Sequence, residues 1–129
     1  MGFETVLQQA IYTELSGYAP LPAPVYDDVP QDGSFPYVVI GDDSFADWST
    51  DTGLGATSVL TVHTWSRLRG RKETKELQGH IETALNRATL SATGYNFVSL
   101  DLLSSESFLD SDGLTRHGVQ TFNAIIERL

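Results

Sequence analysis

The 129-residue chain has no cysteine. That excludes a disulfide framework, a thiolate metal site and a thiol nucleophile. No apolar run approaches the ~20 residues a membrane-crossing helix needs. Met1-Gly2-Phe3-Glu4 lacks the basic-then-apolar pattern of a secretory signal, so neither an anchored nor an exported form is expected. Basic residues are scarce: 8 Lys and Arg face 17 Asp and Glu, for a formal charge of −9. That balance disfavours nucleic acid as the main target, because duplex binding usually shows as a strongly basic domain.

What remains is enough for a folded core. Apolar residues make up 40% and charged ones 19%, and the length suits one domain spanning residues 1–129. The charge is unevenly placed. Residues 1–66 carry nine acids and no Lys or Arg, whereas Arg67, Arg69, Arg71, Lys72 and Lys75 crowd into a short stretch after them. One acidic region and one basic cluster on a small domain can meet copies of itself, or a neighbour, through opposite potentials. A solvated loop and a solvated helix end would read the same on charge alone.

Apolar residues at three- and four-residue steps (Phe3, Val6, Leu7, Ala10, Ile11, Leu15) predict a helix over 3–16, stopped at Gly17. All five prolines follow between 20 and 36, so residues 17–36 read as an extended strap with a short strand possible at Val25-Tyr26. Tyr37–Ile40 reads as a strand, residues 41–57 as a long acidic loop, and Ser58–Trp65 as a second strand. In that strand Leu60, Val62 and Thr64 share one face, and Thr61, His63 and Trp65 the other. The stripe Leu77, Ile81, Ala84, Leu85, Ala88 predicts a helix over 71–88 with Gly70 at its N-terminus. Phe97–Leu103 and Arg116–Ile126 close the chain as two strands around an Asp110–Gly113 turn. The expected fold class is α+β: an antiparallel four-stranded sheet with two helices packed on one face.

Catalytic signals are weak. His63, His80 and His117 fall in no metal-ligand spacing, and no serine sits in a Gly-x-Ser-x-Gly elbow. Asp42, Asp43, Asp47 and Asp51, or Asp110 and Asp112, offer oxygen ligands for a hard cation. Neither set completes a calcium loop, so no metal and no cofactor is expected. The interaction signal is stronger. Arg67-Leu68-Arg69-Gly70-Arg71-Lys72 presents forked donors suited to carboxylates or phosphate, and Trp48 lies in the acidic segment as a natural anchor unless it folds back on the sheet.

Four segments also resemble a known family: Val25-Tyr26-Asp27-Asp28-Val29-Pro30, Phe35-Pro36-Tyr37-Val38, Val62–Arg67 with Gly70, and Asp112-Gly113-x-x-Arg116-His117-Gly118. In order and spacing they are similar to the tail-completion (tail-terminator) proteins of long-tailed phages and gene transfer agents. The resemblance implies an α+β fold, no catalytic residues, and a ring, usually of six copies, at the head-proximal end of the tail. The partners it implies are other copies of the chain, the tail tube protein and a head–tail connector or adaptor. DNA would pass through without specific binding, and assembly would take place in the bacterial cytoplasm. Joined to the charge pattern, it suggests a ring contact between Arg67, Arg69, Arg71 and Lys72 on one side and Asp42, Asp43, Asp47 and Trp48 on the other. Another neck protein (head-closure or adaptor component), or a nucleic-acid-contacting module built on residues 67–75, stays open at this stage. A small hydrolase using His63 or His117 is more distant.

Overall fold

The computed structural model describes residues 2–31 and 33–129. Met1 and Asp32, the latter within the strap, lie outside the described residues. The elements are α1 (Phe3–Ser16), β1 (Val25–Tyr26), β2 (Tyr37–Asp47), β3 (Leu54–Ser66), α2 (Lys72–Leu85), β4 (Ser91–Ala92), β5 (Tyr95–Leu109) and β6 (Arg116–Arg128). The strands form one sheet in the order β1-β2-β3-β6-β5-β4, curled into a half-barrel.

The four-stranded antiparallel expectation is therefore corrected in two ways. The sheet has six strands, and it is mixed because β1 runs parallel to β2, pairing Val25 with Val38 and Tyr26 with Val39. β4 is the other addition, a two-residue strand against Tyr95 and Asn96. β1 falls at Val25-Tyr26, where the sequence allows a short strand, whereas β4 is too short to show a period.

The 41–57 segment is likewise corrected from a loop to a hairpin. β2 and β3 stay paired from Tyr37–Trp65 out to Asp47–Ala56, with a bulge between Ile40 and Asp43, and a tight bridge links Thr50 to Gly53 at the tip. Gly41 and Gly55 are close-approach positions, while Gly53 sits open at the hairpin tip. A Cβ on Gly41 would lie 2.4 Å from His63 Cδ2, and one on Gly55 2.1 Å from the Trp48 ring. The aspartates are tolerated because β2 is exposed along this stretch. α2 is shorter than expected, ending at Leu85 because Asn86 turns extended and Arg87 takes a positive φ of 61°.

Alternation divides the sheet into two faces. Leu60, Val62, Phe122, Ala124 and Leu100 pack under Leu7, Ile11 and Leu15 of α1 and Leu77, Ile81 and Leu85 of α2. Both helices bury their predicted stripes against this face, apart from Ala88, which lies past the end of α2 and packs there only in part. Leu21 and Val25 bring the described part of the strap into the same core, and Gln8 Nε2 holds Asp27 at 2.7 Å. The α2 seam is partly polar. Gln120 Nε2 donates to the Gln78 carbonyl (3.0 Å), and Gln78 Nε2 reaches the Glu106 carbonyl (2.7 Å). The buried Thr64 and Thr74 hydroxyls find no partner there.

Candidate assembly surfaces

The basic stretch occupies the turn from β3 into α2. Arg67, Arg69, Arg71 and Lys72 are all exposed, but Arg67 is already engaged. Its guanidinium lies 4.4 Å above the Phe35 ring, and its Nε donates to Thr115 Oγ1 at 3.3 Å. It ties the strap to the β5–β6 turn. Ser66 Oγ donates to Glu73 (2.6 Å) and accepts the Leu68 N–H (3.2 Å), which fixes the start of the turn. Lys72 faces Glu76 at 3.9 Å with both side chains largely exposed, a pair worth little. Among the described residues Arg69, Arg71 and Lys75 make no ion pair, so these cations of the cluster are open to a partner.

The acidic residues lie on β2. Asp43 pairs with Leu60 and Asp47 with Ala56, while Asp42 sits at the bulge, its carbonyl accepting the Thr61 hydroxyl at 3.1 Å. Asp47 accepts the Ser49 hydroxyl and the Ser49 N–H, and these bonds hold its carboxyl below the usual carboxylate range. Trp48 folds across the hairpin onto Gly55, yet keeps 39% of its surface exposed. Within one molecule Asp47 and Trp48 stand far from the basic turn. Ten residue steps along β3 separate Ala56 from Ser66, roughly 33 Å at strand rise. The eight residues singled out from the sequence thus form two groups at opposite ends of the hairpin, with Asp42 and Asp43 between them.

The face of the sheet away from the helices carries an array that only the strand register assembles. Tyr37, Trp65, His117 and Phe108 form a row across β2, β3, β6 and β5, with Trp65 stacked on His117 at 3.7 Å and 13°. His63 Nδ1 lies 2.7 Å from His117 Nε2. The network assigns the protons. Thr61 gives its hydroxyl hydrogen to the Asp42 carbonyl, so His63 Nε2–H donates to Thr61 Oγ1 (3.2 Å). His63 Nδ1 then accepts, and His117 Nε2–H donates. In this tautomer His63 has no lone pair facing Thr61 and is not placed as a base for it. Burial holds both imidazoles below their ordinary range. His63 adds to the effect on His117, while Asp42 and Asp110 oppose it on His63 and His117 respectively.

Asp112 is used locally. Its carboxylate accepts the Leu114 and Thr115 N–H groups (both 2.9 Å) and the Thr115 hydroxyl (2.7 Å). Chiefly for that reason its carboxyl falls to about 2. Among the described residues no three metal-ligating side chains converge, and no helix is long and apolar enough to cross a membrane.

Comparison with known proteins adds to this geometry. The model of the tail completion protein gp17 family matches residues 6–127. The tail completion protein gp17 of Bacillus phage SPP1 is 31% identical over 116 residues, covering 88% of this chain and 86% of that protein. The fold matches a chain in the virion of a native gene transfer agent particle with TM-score 0.83 over 96% of both chains; at 23% identity this is a likeness of fold. It matches the structure of bacteriophage SPP1 gp17 with TM-score 0.62 and 27% identity, over 93% of this chain and 88% of that one. The chain belongs to the tail completion protein gp17 family.

Proposed function

We propose that the protein is a tail terminator: a structural component of a tailed-phage or gene-transfer-agent particle. In this reading it closes the head-proximal end of the tail tube and joins it to the head connector. The observation that carries this is family membership over nearly the whole chain, together with the likeness to the tail completion protein gp17 of Bacillus phage SPP1. The architecture supports it. Acidic and basic groups at opposite ends of one hairpin let each copy meet the next head-to-tail, the contact type that closes into a ring. The role involves no bond-making, so binding faces rather than a catalytic pocket are its working parts. Arg69, Arg71 and Lys72 facing Asp42, Asp43, Asp47 and Trp48 of the next copy is the proposed ring contact, in a ring taken as sixfold; Arg67 contributes through the turn it holds.

The test is tube polymerisation. Tube protein assembled with this chain should give tubes of limited length capped at one end, and Arg69→Glu plus Arg71→Glu should abolish capping at moderate salt without unfolding the monomer. Tubes of unlimited length in the presence of wild-type chain would refute the terminator reading. Normal capping by the charge-reversed variant would refute only the residue assignment.

A further inference from the structure

The sheet ends on two strands whose guards are very short, and the guards sit at diagonally opposite corners. β1 covers β2 only at Val38 and Val39. From Gly41 to Asp47 the outer edge of β2 has no strand partner among the described residues. A cavity of about 510 Å³, lined in part by Val39–Asp43, Gln8 and Leu60, opens where β1 stops.

On the other margin, β4 covers β5 only at Tyr95 and Asn96. The segment after α2 then occupies the edge, with Arg87 N–H on the Leu100 carbonyl (2.7 Å) and Asn86 Oδ1 on the Leu102 N–H (2.9 Å). Beyond it the outer edge of Leu103–Leu109, the side away from β6, has no strand partner among the described residues, and Gln78 reaches only the Glu106 carbonyl. Long bare edges invite pairing with another chain and are usually blunted. This one instead exposes Leu103, Phe108 and Leu109 at 58%, 44% and 46%.

We propose that the bare half of β2 in one copy pairs antiparallel with the bare half of β5 in the next, continuing the sheet from subunit to subunit. This rests on the terminator reading and names the contact it needs. β2 and β5 run in opposite directions within the sheet. A second copy set alongside in the same orientation therefore offers β2 antiparallel to β5 without being turned over. Within one molecule Asp47 stands level with Phe97, through Ala56 and Ile126. Matching the bare halves lifts the neighbour by about six residues, roughly 20 Å at strand rise. That stagger carries its Asp42 and Asp43 toward the end of the sheet where Leu109 pairs with Arg116, the end that leads into the turn holding Arg69 and Arg71, while its Asp47 falls near Leu103. A constant stagger is also what closing a sheet into a barrel demands.

The absence of native cysteine makes the test direct. Ser44, Ser104 and Glu106 are exposed, and their register partners place all three on the face away from the helices. Ser44→Cys combined with Ser104→Cys or Glu106→Cys, treated in assembled tails with a short bis-maleimide, should give a ladder of cross-linked multimers from at least one combination. Each single variant should give none. Hydrogen exchange on the unmodified chain should show 43–47 and 104–108 gaining protection on assembly. No ladder and no added protection, in tails where imaging finds the chain at the terminus, overturns the edge pairing and leaves the terminator reading intact. Cross-linking by Ser44→Cys alone overturns it in favour of β2 meeting β2. Absence of the chain from the tail end overturns the terminator reading and this inference with it.

Discussion

Gly118 is where the packing of α2 on the sheet can be probed by one methyl group. It lies on β6 opposite Thr64, and a Cβ there would sit 2.2 Å from Thr64 Oγ1 and 2.6 Å from Gln78 Nε2. Neither neighbour has room to yield, since Thr64 is fully buried and Gln78 only 8% exposed. Thr64 is β-branched and stiff at χ1. Gln78 can retreat only by releasing the Glu106 carbonyl. Overpacking of this kind costs about 1–3 kcal/mol, and the lost hydrogen bond about 1 kcal/mol more. Gly118→Ala should therefore destabilise the chain by about 2–4 kcal/mol, lowering Tm by on the order of 10 °C for this length. Urea unfolding followed by tryptophan emission reads the change. Thr64→Ala removes the nearer clash, so the double variant should recover part of the loss as a coupling of roughly 0.5–3 kcal/mol. A Gly118→Ala protein melting within ~2 °C of wild type, or costs that simply add in the double variant, would refute the packing argument.

Other outcomes follow from the same structure. Phe122→Ala empties the centre of the core, where Phe122 is 0% exposed, and should cost about 3–5 kcal/mol in the same urea assay. Both paired histidines have folded pKa values below the ordinary imidazole value of 6.5, so their contribution to stability is full above pH 6.5 and is lost as pH falls from there toward the folded values. Tm measured against pH should drop through that window, and His63→Gln with His117→Gln should flatten the drop. The Asp112 carboxyl, lowered from 3.8 to about 2, acts in a separate window: its contribution is present above pH 3.8 and fades as pH falls toward 2. Asp112→Asn should shrink that lower limb of the Tm profile, leaving the part that Asp47 contributes, and should not change the histidine window.

Much of the fold was legible along the chain because both helices and the long strands bury one periodic stripe. The α1 stripe and the alternation of β3 are found as read. The hairpin arm of β2 was hidden because it is solvated, so its aspartates and glycines obey exposure and close ring contact rather than core burial. The same holds for the outer half of β5, where Ser104-Ser105-Glu106-Ser107 reads as loop although every residue is paired to β6. The basic turn was visible in full as a charge run. That Arg67 is consumed by Phe35 and Thr115 was not, since those contacts join positions 32 and 48 residues away. Nor was the His63–His117 pair, which needs the β3–β6 register to bring two lone imidazoles together.

The central claim is most directly tested by a density map of the intact particle, into which this fold is placed without prior assumption. The account predicts a closed collar of copies between the last layer of tail tube and the head connector, with the basic turn of each copy against the β2 hairpin of the next. Density for the chain anywhere else along the particle, or a single copy outside any collar, would contradict it.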